Sequence, residues 1–406
     1  MHENLDRKNL LFLSPFFYPE AISTGKYNSR LVDALLASGH TISVVCSYPL
    51  YPDWLPKSTN KSLPKISIYR GGLNVRYPKS VILRRMVLEF WFAFHCVKSI
   101  LKNRLNPDVV LAVLPPVSFL LLIPILFSKR VKVIGIVHDL QGIMAVSSPG
   151  IIRMVIAWIL RKIETLALGR CDRIICLSES MKCAIQDVYG VRGVKCDVQY
   201  PFVTYDFSGN ENESEYLVDK FPPGYKHIVY AGALGEKQRP AELVNFFMAL
   251  CRKRKDVMCH IFSAGPIYES IKVAQKDLDE TRVQLHALVP EQFLGELFKR
   301  SDIQVIPQAP GTSMGAFPSK LPNIIAAGVP IFAICDERSE LSEVIRNTGT
   351  GIVAHSWNIE YLIGEINQLI DSNEDLTRDQ IQRRAGYHIE KYFNIKQIIN
   401  IIDNYC

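Results

Sequence analysis

The segment from Pro310 to Pro330 carries the residue types best suited to binding a diphosphate. It follows an apolar run and consists of a loop and then a short helix, for which Ser319 is the predicted N-cap. The backbone N–H groups from Gly315 to Lys320, together with the Lys320 ammonium, favour an anion at this helix N-terminus. Asn323 lies about one turn further along, where its amide could hydrogen-bond the hydroxyl groups of a sugar.

Two further loops follow apolar runs and contain glycines that permit a close backbone approach. In one, Gly232 comes just after a strand-like run, and Lys237 could reach a phosphate as a point charge. In the other, Gly25 and Lys26 open a helix, so that free N–H groups lie at its N-terminus. An ordinary structural turn is the alternative for both loops. The sequence has no G-x-G-x-x-G pattern, so a dinucleotide-dependent dehydrogenase is not favoured.

His138 and Asp139 form an adjacent titratable pair directly after the buried run Val133–Val137. At the carboxyl end of a strand, such a pair could orient hydroxyl groups or manage protons. The alternative is a histidine that only caps a loop. The D-x-D pattern of the chain, Asp277 and Asp279, lies in a polar charged run, which favours a solvated surface over a metal site.

Apolar runs alternate with amphipathic helices along both halves of the chain, which predicts parallel strands covered by helices on both faces. In the first half, strands are predicted at residues 9–13, 41–46, 65–69, 109–113, 131–137 and 173–177. In the second half, they are predicted at residues 227–230, 257–262, 283–285, 303–306 and 329–334. We therefore expect an α/β protein with two doubly wound, Rossmann-like domains facing a cleft, where the carboxyl ends of the strands hold ligands.

A polar segment with the run SGNENESE marks a predicted domain boundary near residue 205. The expected domains are residues 1–204, residues 205–385 and a C-terminal helix at residues 386–406 that returns to the first domain. Residues 109–127 carry no charge, which raises the question of a membrane span. Pro115 and Pro116 favour a buried strand, a turn and a helix instead.

The 406 residues carry a formal net charge of +7, which is unevenly distributed along the chain. Residues 1–200 contain 26 Lys and Arg against 13 Asp and Glu, whereas the remainder is acidic overall. A basic half indicates an anionic partner: phosphorylated substrates, an anionic membrane surface or nucleic acid. The polar N-terminus lacks an apolar signal segment and the ten cysteines show no C-x-x-C pattern, so we expect a reduced, cytoplasmic protein.

Nearly half of the basic excess falls between Arg76 and Arg104, a segment that contains a long helix predicted to begin at Val81. At about 100° per residue, the helix has a basic stripe and an apolar stripe on opposite faces. The basic side comprises Arg84, Trp91, His95, Lys98 and Lys102, and Arg85 is a further predicted membrane residue of this helix. The side expected to face the core comprises Ile82, Met86, Ala93, Val97 and Ile100. A basic stripe with a tryptophan suits an anionic membrane surface, and a solvated basic face is the alternative. Nucleic acid is not the expected partner, because no recognition module accompanies the patch.

Taken together, these segments resemble the GT-B glycosyltransferases, in particular the retaining group that builds bacterial surface polysaccharides such as colanic acid and O-antigen. Four matches carry most of the resemblance, supported by SAGP at 263–266 and VPE at 289–291. The four are YPE at 18–20 with GKY at 25–27, GALGEKQ at 232–238, GAFPSKL at 315–321 with AAGVP at 326–330, and SELSEVI at 339–345 with GTG at 349–351. The resemblance covers nearly the whole chain.

The resemblance implies a glycosyltransferase that moves a sugar from a nucleotide-sugar to a glycan acceptor, with retention of anomeric configuration and without a metal or other cofactor. His138 and Asp139 would face the transferred sugar, and Glu20 and Lys26 in the first domain would contact the acceptor. The donor residues that it implies are Gly25, Gly232, Lys237, Gln238, Leu288, Val289, Gly315, Ser319, Lys320 and Asn323, with Leu288 and Val289 near the base. Such enzymes commonly extend a glycan on a polyprenyl-diphosphate carrier, so we expect peripheral association with the inner face of the cell membrane.

Three positions depart from the family pattern. Gly315 and Asn323 stand where the family usually has two glutamates, and Ala233 stands in place of an arginine. These departures motivate one alternative, a non-catalytic subunit of a polysaccharide assembly complex. A nucleotide-sugar epimerase of the same fold is a second alternative, because it would use the same donor site without an acceptor.

Overall fold

The computed structural model describes residues 7–20, 22–51, 53–73, 75–127, 131–144, 151–205, 207, 215–274, 282–313, 317–371 and 378–405. They form two compact units. The first unit runs to Pro201 and also takes up the chain from Ile395 onwards. The second unit runs from Phe202 to Asn394, apart from a short segment at Phe317 that belongs to the first.

The first unit is built on a seven-stranded parallel sheet. Its strands are β1 (Asn9–Leu13), β2 (Thr41–Ser47), β3 (Ile66–Gly71), β4 (Val109–Leu114), β5 (Lys132–Val137), β6 (Arg173–Cys176) and β7 (Lys195–Val198). Their spatial order is β3-β2-β1-β4-β5-β6-β7. The helices are α1 (Ser23–Ala37), α2 (Val81–Asn103), α3 (Ile123–Leu126), α4 (Gln141–Met144), α5 (Ile151–Leu168) and α6 (Glu179–Cys183). The central strand β4 is buried throughout, as its unbroken apolar sequence requires.

The second unit repeats this arrangement with a six-stranded parallel sheet. Its strands are β8 (Lys226–Ala231), β9 (Val257–Ser263), β10 (Val283–Ala287), β11 (Ile303–Pro307), β12 (Ile331–Ile334) and β13 (Gly351–Ala354). Their spatial order is β10-β9-β8-β11-β12-β13. The helices are α7 (Glu215–Val218), α8 (Pro240–Lys253), α9 (Pro266–Ala274), α10 (Leu294–Arg300), α11 (Leu321–Ala326), α12 (Glu340–Thr348), α13 (Ile359–Asp371) and α14 (Arg378–Tyr392). The two parallel-sheet units confirm the predicted fold class.

The last helix, α15 (Ile395–Asp403), belongs to the first unit. There Asp403 binds His40 at 2.9 Å. We expected the C-terminal helix that returns to the first domain to begin at residue 386, but this residue lies inside α14. That helix stays in the second unit because it packs on α11, where Gln382 donates a hydrogen bond to the Ala326 carbonyl (3.1 Å).

All the predicted strands are present, and the sequence patterns missed only β7 and β13 among the strands of the described residues. Both are four-residue strands at a sheet edge, where short, partly exposed segments give little periodic signal. At Gly351 in β13, an added Cβ would lie 1.9 Å from the Ile331 carbonyl oxygen. Glycine therefore permits the close pairing of this edge strand.

The uncharged segment at residues 109–127 folds as β4, the Pro115–Pro116 turn, a 3-10 turn at Ser118–Leu122 and α3. This confirms the expected strand, turn and helix. No helix within the described ranges is both long and apolar enough to span a membrane. The cysteines that the structure describes are free, and all except Cys183 are buried.

Three histidines form a hydrogen-bonded row across neighbouring strands of the second sheet. His227 Nδ1 lies 2.9 Å from His260 Nε2, and His260 Nδ1 lies 3.2 Å from His286 Nε2. The row ends at the Pro222 carbonyl, 3.1 Å from His227 Nε2. Burial lowers the pKa of His260 to about 2 and that of His286 to about 4, so the row is neutral near pH 7.

Gly328 ends the α11 region in a left-handed conformation with φ of +69°. Its N–H donates to the Ile325 carbonyl (2.9 Å), which closes the end of the helix. A Cβ at this position would lie 2.7 Å from the carbonyl oxygen of Arg378 in α14. Both the backbone conformation and the close contact with α14 therefore require glycine here.

We expect Gly328→Ala to lower the free energy of unfolding by about 2 kcal/mol, because it adds left-handed strain and a steric overlap. The measurement is chemical unfolding followed by circular dichroism. The matched control is Gly364→Ala within α13, where an added Cβ meets nothing within 4 Å and alanine favours the helix by about 1 kcal/mol. Equal effects of the two substitutions would contradict this assignment.

Candidate functional site

Lys320 directly precedes α11 and turns its ammonium toward β8 and β11. Its Nζ donates a hydrogen bond to the Val305 carbonyl (3.2 Å) and lies 3.9 Å from the centroid of the Tyr230 ring. Burial lowers the pKa of the Lys320 ammonium to about 7, because the charged form loses hydration. A phosphate placed beside this group would stabilise the charged form again. Lys320 is therefore suited to binding an anion.

The helix that follows Lys320 begins without the predicted side-chain cap. Lys320 itself is the N-cap residue of α11, and no capping side chain is found in the described part of the chain. The prediction of Ser319 as the N-cap is therefore wrong. The Leu321 N–H donates to the Pro318 carbonyl (3.2 Å), so a turn occupies residues 318–321 and delays the start of the helix. Ser319 is half-buried beside Lys320, and its contact with a donor stays a prediction.

The loop after β8 contains three predicted donor residues and is fixed by its own hydrogen bonds. Gly232 adopts a φ of +145° and its N–H bonds to the neighbouring strand β9 at 2.9 Å, a conformation that disfavours residues with a Cβ. Gln238 Oε1 accepts the Gly235 N–H (2.9 Å), so this amide shapes the loop. The Lys237 carbonyl accepts the Ala309 N–H (2.7 Å). The loops that follow β8 and β11 thus meet at the carboxyl ends of these strands.

Asn323 binds the segment of chain that enters the second unit. Its Oδ1 accepts the N–H groups of Thr204 (2.9 Å) and Tyr205 (3.1 Å), and its Nδ2 donates to Thr204 Oγ1 (3.0 Å). These bonds use both carbonyl lone pairs and one of the two amide hydrogens. Asn323 therefore has a structural role that the sequence did not indicate. Its contact with a sugar hydroxyl stays a prediction for the second amide hydrogen.

The remaining donor candidates differ in burial. Val289 is buried in an apolar cluster with Val229 and Phe262, so its side chain belongs to the core and its backbone is the part that could meet a base. Leu288 beside it is half-buried. Gly315 lies outside the described residues, and the same holds for the D-x-D pattern at residues 277–279.

Glu20 and Gly25 pack against each other at the start of α1. A Cβ at Gly25 would lie 2.8 Å from the Cβ of Glu20, so glycine is required for this close approach. The buried Glu20 carboxylate accepts the N–H groups of Leu50 (2.7 Å) and Tyr51 (3.2 Å). Lys26 is half-buried in the first turn of α1. The contacts of these residues with donor or acceptor stay predictions.

His138 follows β5 and holds its ring edge-on to Tyr27, with 4.7 Å between ring centroids. Its backbone N–H donates to the Leu114 carbonyl (2.9 Å). The His138 Nε2 atom is buried and has no hydrogen-bond partner among the described residues. Burial lowers the pKa of His138 to about 4, so the imidazole is neutral at pH 7. A neutral ring with an unpaired nitrogen suits hydrogen bonding to a ligand more than charge stabilisation.

A buried glutamate that the sequence analysis missed anchors the loop carrying His138 and Asp139. The Glu164 carboxylate accepts the N–H groups of Gln141 and Gly142, each at 2.9 Å, and the Tyr189 hydroxyl at 2.6 Å. Burial raises the pKa of Glu164, and these hydrogen bonds oppose that rise. The available signal was that Glu164 is the single acid in the apolar and basic sequence of α5.

Arg85, a predicted membrane residue, joins this network from α2 and is half-buried, and its contact with a membrane stays a prediction. The half-buried guanidinium is attracted to Glu164, Asp139 and Glu89. Glu89 in turn accepts the N–H groups of Val117 and Ser118, each at 2.9 Å. The cation thus lies among acids that position two loops of the first unit.

The other residues of the predicted basic stripe are divided between surface and interior. Lys98 and Lys102 are exposed. Arg84 lies over the Trp54 ring at 4.0 Å, and Trp91 is half-buried and stacks on His95. Trp91 is therefore not the exposed anchor that we expected.

The predicted core side of α2 is also partly wrong. Ala93 and Ile100 are buried, but Ile82 is 43% exposed and Met86 is 50% exposed. The buried face runs instead through Leu88 and Phe92, because these side chains pack on the rest of the first unit.

Two family models match this chain over most of its length. The model described as Glycosyltransferase Family 4 matches residues 24–207, and the model described as Glycosyl transferases group 1 matches residues 216–389. One relative is WcaI of Escherichia coli (strain K12), which is named as a glycosyl transferase of colanic acid biosynthesis. It is 23% identical to this chain, and the alignment covers 95% of this chain and 97% of WcaI.

Solved structures show the same fold. Sucrose-phosphate synthase from Thermosynechococcus elongatus gives a TM-score of 0.75 at 13% identity and covers 98% of both chains. HepE from Anabaena, in complex with UDP-glucose, gives a TM-score of 0.64 at 14% identity and covers 98% of this chain and 99% of its own.

The two parallel-sheet units and these matches define a glycosyltransferase of the GT-B class, as the motifs predicted. Within that class, the first half of the chain carries a Glycosyltransferase Family 4 domain and the second half a Glycosyl transferases group 1 domain.

We expect the affinity for UDP to fall by up to about tenfold for each pH unit between 7 and 9, because a diphosphate held at Lys320 would bind the protonated form of this side chain. The free enzyme loses this proton near pH 7, so binding above that pH requires proton uptake. Calorimetry in buffers of different ionisation enthalpy measures both effects. Lys320→Arg is the control, because arginine stays charged and flattens the pH dependence. A wild-type affinity that is constant from pH 7 to 9 would contradict this role.

Replacing Glu164 with alanine is expected to lower the free energy of unfolding by about 3 kcal/mol, because it leaves several buried donors unpaired. Tyr189→Phe removes one of these hydrogen bonds and should cost about 1 kcal/mol. The specific measurement is amide hydrogen exchange, which should accelerate at Gln141 and Gly142 in Glu164→Ala but not in Tyr189→Phe. Unchanged exchange at both amides would refute the anchoring role.

Proposed function

We propose that this glycosyltransferase moves a sugar from a nucleotide-sugar to a lipid-linked glycan acceptor during surface polysaccharide synthesis. The proposal of a nucleotide-sugar donor rests on the buried Lys320 ammonium. This group lies at the same end of the second sheet as the Gly232–Gln238 loop. The similarity to WcaI, named for colanic acid biosynthesis, supports the polysaccharide role. The fold shared with HepE, solved with UDP-glucose, supports the class of donor.

In the proposed reaction, an acceptor hydroxyl oxygen bonds to the anomeric carbon of the donor sugar. The bond from that carbon to the diphosphate oxygen breaks, and the hydroxyl proton is released. Negative charge grows on the leaving nucleoside diphosphate as this bond breaks. The Lys320 ammonium and the N–H groups before α11 would stabilise that charge, so we propose a reaction that requires no metal ion. Retention of anomeric configuration follows from the family resemblance.

The two halves of the chain would divide the substrates. Residues 205–385 would bind the donor, and residues 1–204 would bind the acceptor. His138, neutral at pH 7, would hydrogen-bond a hydroxyl of the transferred sugar through Nε2. Asp139, near the Arg85 guanidinium, would help to orient the same sugar. Peripheral attachment to the cytoplasmic face of the membrane would bring the enzyme to a polyprenyl-diphosphate-linked acceptor.

One observation favours a second candidate, a non-catalytic subunit of an assembly complex. Asn323 stands where the resemblance implies a glutamate, and its amide is bound to Thr204 and Tyr205. A subunit of this kind would keep the fold without turning over a nucleotide-sugar.

The experiment is a screen of UDP- and GDP-sugars by thermal shift, followed by transfer of labelled sugar to a membrane lipid extract. We expect one donor to stabilise the enzyme and to label the lipid fraction, and Lys320→Ala to lose about tenfold or more in donor affinity. His138→Ala should reduce turnover more than donor binding. Lys272→Ala, which removes an exposed lysine of α9, is the matched control and should change neither.

Distinct outcomes separate the alternatives. A wild-type enzyme that binds no nucleotide-sugar would sink the transferase proposal and support the non-catalytic subunit. Conversion of the donor to an epimer without any acceptor would support an epimerase instead. Equal donor stabilisation of wild type and Lys320→Ala would overturn the placement of the diphosphate at Lys320.

A further inference from the structure

An apolar face on the surface of the first unit is left uncovered in the structure. On α2, Ile82, Met86, Phe90 and Phe94 recur every four residues and are all exposed. This spacing places them along one side of the helix. Phe90 is 72% exposed and Phe94 is 66% exposed. Aromatic side chains of this size are seldom left in water without a partner.

A second and a third element extend the same surface. Trp158 on α5 is 61% exposed and Ile125 on α3 is 81% exposed. Helix α2 contacts α3, and both α2 and α5 contact the 3-10 turn at Ser118–Leu122. The Arg85 guanidinium of α2 is attracted to Glu164 of α5, so both helices border the same part of the first unit. We call the exposed side chains Ile82, Met86, Phe90, Phe94, Ile125 and Trp158 the apolar face.

The exposed charged side chains that the structure describes on α2 and α5 are positive. Lys98 and Lys102 on α2 and Lys162 on α5 are exposed, and Lys162 Nζ lies 5.9 Å from the Trp158 ring centroid. Glu89 and Glu164 are the single acids of α2 and α5. Both carboxylates are turned to backbone N–H groups inside the unit. A partner of this surface is therefore apolar in the middle and anionic around it.

We propose that the apolar face inserts into the interfacial region of an anionic lipid bilayer, with the lysines binding lipid phosphates. Phenylalanine and tryptophan suit the boundary between acyl chains and headgroups, and flanking lysines suit anionic headgroups. The proposal deepens the membrane attachment included in the proposed function. It differs from the predicted basic stripe because insertion of Phe90, Phe94 and Trp158 supplies the hydrophobic part of the binding.

A second copy of this chain fits the same surface less well. A two-fold interface would bring the same patch of each copy together. Lys98, Lys102 and Lys162 of each copy would then face a patch whose exposed charges have the same sign. Like charges at such a contact are repulsive, and no exposed acid of α2 or α5 offsets them. A bilayer of anionic lipid, in contrast, satisfies both the apolar side chains and the lysines.

The test is co-sedimentation of the full chain with vesicles of phosphatidylcholine and phosphatidylglycerol. We expect the triple variant Phe90→Ser, Phe94→Ser and Trp158→Ser to bind at least about tenfold more weakly than wild type. The matched control replaces exposed apolar residues of the second unit, Val273→Ser and Tyr387→Ser, and should bind like wild type. Lys98→Glu with Lys102→Glu should weaken binding to anionic vesicles and reduce its salt dependence.

Insertion is measured separately by quenching of tryptophan fluorescence with lipids brominated on the acyl chains. We expect quenching in wild type and its loss in Trp158→Phe. Vesicle binding that the triple variant leaves unchanged, or binding without any quenching of Trp158, would overturn the proposal. A concentration-dependent dimer that the triple variant abolishes, with no vesicle binding by wild type, would assign the face to a second copy instead.

These measurements need neither donor nor turnover, so their failure is distinguishable from failure of the transferase proposal. Thermal shift with the nucleotide-sugar should be the same for wild type and the triple variant, because the substituted side chains lie in the first unit. A folded triple variant that keeps donor binding and loses vesicle binding is the expected combination.

Discussion

Three glutamates, each bound to two backbone N–H groups, hold the loops on which the candidate chemistry of the first unit depends. Glu20 holds the loop after β2, Glu89 the loop after β4 and Glu164 the loop after β5. Loops at the carboxyl ends of parallel strands have N–H groups that no neighbouring strand satisfies, and one carboxylate can accept two of them. Two of these acids, Glu20 and Glu164, are buried, so they contribute little negative charge to the surface of the first unit.

Strong periodic signals made much of the architecture predictable. The central strand of the first sheet is an unbroken apolar run, and the central strands of the second sheet are mostly apolar. Burial on both faces gives such runs only one stable placement. The Gly232 and Lys320 loops were found for the same reason, since each follows a strand of this kind. The edge strands β7 and β13 were missed because they are short and only partly buried.

The errors have a common physical origin in tertiary contacts that local patterns do not contain. The orientation of α2 was misjudged at Ile82 and Met86 because periodicity defines two faces but not which one the fold covers. The start of α11 was misplaced because the Pro318–Leu321 turn competes with a cap at Ser319. The bonds of Asn323 to Thr204 and Tyr205 join residues more than a hundred positions apart, so no local pattern could indicate them.

The histidine row across the second sheet has a consequence for where its hydrogens lie. The Pro222 carbonyl can only accept, so His227 Nε2 carries the hydrogen and His227 Nδ1 is an acceptor. His260 then donates from Nε2 and accepts at Nδ1, and His286 donates from Nε2. One carbonyl oxygen therefore fixes the tautomers of three rings on three strands. All the hydrogen bonds of the row therefore point in the same direction. A change of tautomer at any one ring would require the same change at all three.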